Sequence, residues 1–480
     1  MMVDDERPRL STNQKALKIN LDPVFYGTFA EIGAGQEVAR WFFKVGAAAG
    51  TISKSISAYD MTVSDAIYGH SKRYVSRERL QGMLNYEHAL NLERLTGARG
   101  DTTAFFTFAN TVAARNFQGT NECHGWMGVK YQTQPRDDDS QIIMHVRMLD
   151  STSELQQEAL GIVGVNLLYG AFFLHHKPQL LLESLLDGLT TNRVEIDMIE
   201  FSGIEFRRVD NRVMSLKLVQ LGLSGAAMFG PTGEVLQPSE ILRKRPILVE
   251  RGSFRPVTKV NIDMIECARK RFASEPEVEA DQICELMEIT MRNLMAEGQL
   301  NLSDFLARAD VLAAVGKTVL ISDYFEYYRL AAYLARYTPK PIAVTMGVGS
   351  IVDLFKEEYY TGLEGGILEA CGRLFTKDLR IYAYPLRDPA TGQLITVDNA
   401  QMAEPKLQHL YSYLVERGRI KQLDNYDESV LNIFSRDVLK RIKCEDPSWE
   451  TMVPPEVAAM IKKHSYFGYR GAELQDAARK

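Results

Sequence analysis

From residue 246 onward the chain alternates short apolar runs with segments of helical period, and few folds accept that rhythm. The runs are PILVE (246–250), KTVLIS (317–322), KPIAVTM (340–346) and LRIYAY (379–384). Each is too short for an ordinary helix and too continuously apolar for a strand with one wet face. Two or three helices are expected within 262–315, and one each over 323–337, 350–360 and 363–375. Short apolar strands between helices mean a sheet buried on both sides. The C-terminal half is therefore expected to be α/β, a mostly parallel sheet covered by helices.

The first half reads differently. Strands are expected over 105–116, 126–133, 141–149, 194–201 and 226–229, and PRDDDS between the second and third predicts an antiparallel hairpin. Helices are expected over 31–54, opened by a glycine turn, over 76–95, over about 153–189 with a break at Pro178, and over 211–223. Residues 1–25 are polar and read as a loose arm. This is an antiparallel strand-containing α+β half. Beyond residue 405 the pattern is mostly helical, a helical tail. A proline-bearing stretch at 231–246 places the boundary near 235–245, giving segments 1–240, 241–404 and 405–480. The alternative is that both strand-rich halves share one sheet.

Composition removes several function classes. With 56 Lys and Arg against 62 Asp and Glu, the net charge of −6 offers no broad basic field for a long nucleic acid. An apolar fraction of 45% can fill a core, which excludes disorder as the main state. The longest apolar run, GIVGVNLLYGAFFL (161–174), falls short of the roughly 20 residues of a membrane span and carries Asn166. The opening MMVDDERPRLSTNQ has no apolar leader core. Cys123, Cys267, Cys284, Cys371 and Cys444 match no disulfide or zinc spacing. A cytoplasmic protein with reduced thiols is expected, with no membrane partner. No metal site is assigned, because no two histidines stand three or four apart as a helical ligand pair.

In open α/β sheets ligands gather beyond the carboxyl ends of the strands. After ILVE come Arg251, Gly252, Ser253, Phe254 and Arg255; after KTVLIS comes Asp323; after IAVTM come Gly347, Val348, Gly349 and Ser350. Arg251, Ser253 and Arg255 are candidate anion ligands, since guanidinium groups pair with phosphate in two-point fashion. Gly347, Gly349 and Ser350 would let a backbone and a helix start approach a phosphate. The competing readings are salt-bridged surface arginines, and Ser350 and Asp323 as helix caps. Asp323 is otherwise a candidate for a metal or a ribose hydroxyl. In the first half, the loop 115–126 gathers Glu122, Cys123 and His124 as candidate acid–base or nucleophilic groups; the competing reading is a loop fixed by its own hydrogen bonds. His145 and Arg147 share one strand face and are expected to reach the same place. GAGQEVA (33–39) is only loosely like a dinucleotide-binding turn.

Several segments together are distinctive: FAEIGAGQEVARWFF, SAYDMTVSDAIYG, NECHGW, PSEILRKRPILVERGSFRPVT, EYYRLAAYLARYT and LEGGILEACGRLF. Over nearly the whole chain they resemble a family of largely uncharacterised bacterial proteins often labelled nicotinate-nucleotide adenylyltransferase. The H-x-G-H motif of adenylyltransferases of NAD synthesis is not formed by any of the eight histidines, so the resemblance transfers no catalytic residue.

The expectation is an enzyme that binds a phosphorylated small metabolite or nucleotide at the strand ends, with transferase chemistry as the reaction class considered and a nucleotide as the candidate cofactor. The alternative is a non-catalytic regulatory or scaffold protein that assembles as a homo-oligomer through its helical tail, which ends in the aromatic YFGYRG (466–471).

Overall fold

The computed structural model describes residues 9–471. The chain forms two compact units, one ending at Gly225 and the other starting at Ala226.

In unit 1 the strands are β1 (Phe25–Gly33), β2 (Ile52–Ile56), β3 (Ala104–Ala113), β4 (His124–Tyr131), β5 (Ser140–Met148) and β6 (Val194–Gly203). They make one sheet in the order β2-β1-β3-β4-β5-β6. β1 pairs parallel with β2 and β3, while β3 through β6 pair antiparallel. The helices are α1 (Thr12–Asn20), α2 (Glu37–Val45), α3 (Met61–Tyr68), α4 (Arg77–Arg99), α5 (Ser153–Phe173), α6 (Pro178–Ser184) and α7 (Asn211–Gln220). α5 is the apolar run read as too short to span a membrane; it is buried through most of its length, and Leu160, Val163 and Leu167 join Met127, Val129 and Met144 in the core. α4 lies on the sheet too, contacting β3, β4 and β1. Its polar Asn91 accepts from Thr28 and donates to Thr107 and to the Phe106 carbonyl.

Two expectations change here. Residues 12–20 are a helix, not a loose arm: Ser11 and Gln14 form a capping box, and Ala16 and Ile19 are buried. Residues 1–8 of that arm lie outside the described residues. The segment 31–54 opens with the end of a strand, and its helix ends at Val45 before Gly46, whose φ of 83° only glycine adopts easily.

Unit 2 contains β7 (Ala226–Phe229), β8 (Val235–Leu236), β9 (Ile247–Arg251), β10 (Cys284–Thr290), β11 (Val319–Ser322), β12 (Ile342–Gly347), β13 (Arg380–Tyr384), the small hairpin β14 (Leu386–Arg387) and β15 (Leu394–Ile395), and β16 (Ile420–Gln422). The main sheet runs β16-β13-β12-β9-β10-β11-β7-β8. From β16 to β11 all neighbours are parallel; β7 and β8 add antiparallel at one edge. The helices are α8 (Pro238–Leu242), α9 (Lys259–Ala273), α10 (Met291–Leu294), α11 (Leu302–Ala314), α12 (Tyr327–Leu334), α13 (Val348–Leu354), α14 (Gly366–Leu374), α15 (Gln408–Glu416), α16 (Ser435–Lys443) and α17 (Pro455–His464). One face of the sheet packs Ile247, Val249, Leu286 and Val344 against Leu330, Leu334 and Ile367 of α12 and α14. On the other side Phe272 of α9 meets Tyr382 edge-on, and Phe305 of α11 meets Phe229. The α/β expectation for this half is met.

The stretch read as a helical tail also supplies β16, the last parallel strand. Its aromatic end turns inward: the Tyr466 hydroxyl donates to Asp310 of α11, Phe467 is buried, and Tyr469 packs on the buried Trp449. Residues 472–480 lie outside the described residues. Among the described residues no helix is long and apolar enough to cross a membrane.

Candidate functional site

Numbering the parallel strands of unit 2 in chain order gives 6-5-4-1-2-3 across the sheet. The order reverses between β9 and β12, and a crevice opens at the carboxyl ends of strands where such a reversal falls. Arg251, Thr290, Ser322 and Gly347 end β9, β10, β11 and β12.

Arg251 is held tightly. Its Nε and one terminal nitrogen donate to the two oxygens of buried Glu288 at 2.7 and 2.9 Å, and further N–H groups donate to the carbonyls of Tyr324 and Phe325. Its plane also lies over the ring of Tyr327, 4.1 Å from the centroid. Ser322 donates to Glu288 as well, so one carboxylate ties the ends of three strands together. The guanidinium is spent on this framework, which corrects its reading as a free anion clamp. Arg255 is likewise committed, to Asp304 and Glu297. Ser253 is exposed, and its carbonyl accepts from buried Arg308.

A cavity of about 280 Å³ lies at these strand ends, and Arg251, Arg292, Phe325, Tyr327, Ser350 and Asp353 are among its lining residues. Arg292 sits in the first turn after β10. It stacks on Phe325 with its guanidinium carbon 3.9 Å from the ring centroid, and no ion-pair partner for it stands among the described residues. Phe325 in turn meets Tyr359 edge-on at 5.4 Å. Arg292 went unread because β10 itself was not recognised as a strand. Asp353 and Glu326 add carboxylates to the wall. The Asp353 carboxylate accepts from Lys356 at 2.7 Å.

The GVGS segment contributes less than expected. α13 begins at Val348 directly after Gly347 and is only seven residues long. A Cβ on Gly347 would meet nothing within 4 Å, so that position does not need a glycine for space. Ser350 is exposed and lines the cavity; it does not cap α13, whose N-cap position is Gly347. Asp323 is exposed and does not cap α12, which starts after Glu326. The structure thus brings Arg251 and Ser350 to one cavity and leaves Ser253, Arg255 and Asp323 off its walls.

In unit 1, Glu122 is exposed and Cys123 half-buried with its thiol 3.8 Å from the Asn121 carbonyl. Asn116 and Asn121 fix the 115–122 loop through backbone hydrogen bonds. His124 departs from this group by starting β4. Its Nδ1 lies 2.9 Å from Nε2 of His145, and Nδ1 of His145 lies 2.6 Å from a carboxylate oxygen of Asp197. Opposite His145 the β5–β6 register shifts between His145 and Val146. Asp197 shares a face with Glu195 by ordinary strand alternation, while the bulge sets Met198 opposite His145; Glu195 accepts from Arg147 and from the Ser224 hydroxyl. Burial holds His124 far below the usual imidazole range, at about 3, with the neighbouring His145 and then Arg73 adding to the effect.

GAGQEVA does join a strand to a helix. However, Glu31 accepts from the N–H groups of Val38 and Ala39 and from Asn110, so the helix start is already filled by a side-chain carboxylate. Among the described residues no cluster of three or more His, Cys, Asp and Glu is placed to hold a metal ion.

No family model and no curated protein matches the chain. Among solved structures, it is similar to the competence/damage-inducible protein CihA of Agrobacterium tumefaciens at 14% identity, over 32% of this chain and 88% of that one, with a TM-score of 0.23. It is also similar to the competence damage-inducible protein A of Klebsiella pneumoniae at 15% identity, over 34% and 94%, with a TM-score of 0.24. A CinA-superfamily protein of Enterobacter cloacae aligns at 14% identity, over 38% and 99%, again at 0.24. Scores this low assign neither fold nor activity to this chain.

Proposed function

We propose that unit 2 binds a small phosphorylated ligand, a nucleotide or a metabolite of that size, in the cavity at the reversal of strand order, and acts on it as an enzyme of transferase type. The observation that carries this reading is Arg292: a cation with no acidic partner among the described residues, laid on an aromatic ring, at the wall of that cavity. The wall combines three chemistries that a nucleotide needs. Phe325, Tyr327 and Tyr359 offer surfaces for a planar base. Asp353 and Glu326 can accept from ribose hydroxyls, and Arg292 with Ser350 can donate to a phosphate. A volume near 280 Å³ lies at the small end of ligand pockets and suits a mononucleotide better than a dinucleotide. The sequence resemblance to the family labelled nicotinate-nucleotide adenylyltransferase supports the same ligand class.

Calorimetry with purine and nicotinate mononucleotides tests this. Arg292→Ala should weaken binding about ten- to a hundredfold, the worth of one charge-assisted hydrogen bond. Equal affinity in wild type and Arg292→Ala, or no binding by wild type, would remove the proposal. Arg251 is unsuited to this test, because its loss would strand the buried charge of Glu288.

A further inference from the structure

The three groups Asp197, His145 and His124 form a line of hydrogen bonds whose direction is fixed at one end. The Asp197 carboxylate can only accept, so Nδ1 of His145 carries a hydrogen. With both rings neutral, Nε2 of His145 is then bare and must accept from Nδ1–H of His124. This leaves Nε2 of His124 as an unprotonated acceptor. It has no partner among the described residues, and His124 keeps 7% of its surface open, whereas His145 and Asp197 are sealed at 0% and 1%.

We propose that these side chains form a proton relay in unit 1, which takes a proton from the O–H or N–H of a small acidic ligand placed against His124. The balance is one proton. It leaves the ligand and bonds to Nε2 of His124; the hydrogen on Nδ1 of His124 passes to Nε2 of His145. His124 ends neutral, in its other tautomer, and the positive charge resides on His145 beside the Asp197 carboxylate. The ligand ends as an anion; Arg73, one of the positive groups that depress His124, has no ion pair among the described residues. This division of labour explains why a ring as poorly basic as His124 can still serve: it transmits the proton and does not keep it. His145 and Asp197 are positioning residues acting through His124. Charged groups near the line include Glu195 on β6 and Arg147 on β5, which pair with each other, and Trp126 packs edge-on against His145. The inference is independent of the cavity in unit 2.

Nitrogen-15 imidazole shifts of the intact protein read the relay directly. On acidification His145 should become the imidazolium while His124 stays neutral and changes tautomer. Acylation by diethyl pyrocarbonate reads the bare Nε2: the His124 rate should follow the titration of His145. In Asp197→Asn that midpoint should fall by about one to three pH units, the effect of removing an adjacent opposite charge. In His145→Gln, His124 acylation should lose its dependence on that titration. If His124 itself takes the proton in wild type, or if its acylation profile ignores both substitutions, the relay is wrong. The wild-type spectra decide the matter even where a variant does not fold.

Discussion

Glu250 shows how one buried side chain sets a property of the whole unit. It stands next to Arg251 on β9 but faces the opposite side of the sheet, where it is fully buried and its Oε1 accepts from Asn261. No partner for its other oxygen stands among the described residues. Burial therefore raises its pKa from 4.5 to about 8, against the small opposing effect of Asn261. The folded state keeps a proton that the unfolded chain loses above 4.5. The stability from that proton is complete below about 4.5 and is lost as pH rises through about 8. Glu31 acts in the same direction in unit 1, with its pKa raised by burial to about 7. Urea midpoints measured across this range should fall with rising pH in wild type and fall less in Glu250→Gln. Parallel pH slopes in the two proteins would show that Glu250 ionises normally.

At the scale of elements, the sequence marked β6 and most strands of the parallel sheet, and missed β10, whose glutamates break its apolar run. β9, β11, β12 and β13 were legible because almost every residue is apolar. β10, CELMEIT, was hidden in a region read as helical, since Glu285 and Glu288 break its apolar run. Glu288 is buried only because Arg251 and Ser322 meet it, a pairing between strands that no local pattern contains. The candidate site suffered the same way. Arg251 and Ser350 were placed at the right ends of the right strands, while Arg292 depended on recognising β10. The line from His124 to Asp197 depended on strand pairing across β4, β5 and β6.

Glycines separate the same two cases. Gly27 in β1 lies so close to β3 that a Cβ would come within 1.9 Å of the Phe106 carbonyl oxygen. Gly27→Ala should cost about 1–3 kcal/mol or prevent folding. Gly347→Ala meets open space but puts alanine at the N-cap of α13, so it should cost about 0.5–1 kcal/mol. Thermal and urea unfolding check both, and a silent Gly27→Ala would contradict the β1–β3 register.

At the scale of the molecule, each unit closes its own core. The buried cluster in unit 1 ends at Leu223 and that in unit 2 begins at Ala226. Chains covering residues 9–225 and 226–471 should therefore each give a cooperative melt and dispersed spectra. A molten product from either would mean that its core needs the other.

The strand order of unit 2 also carries a schedule. A ribosome releases β9 first among the parallel strands, and β9 lies at the centre. Every later parallel strand then finds its neighbour already made: β10 beside β9, β11 beside β10, β12 back beside β9, β13 beside β12 and β16 beside β13. Only β7, made before all of them, must wait, because its partner β11 is made some ninety residues later. The sheet can thus grow outward in both directions as the chain emerges, and the crevice at its reversal point takes shape when β12 arrives, before the last parallel strand has been synthesised.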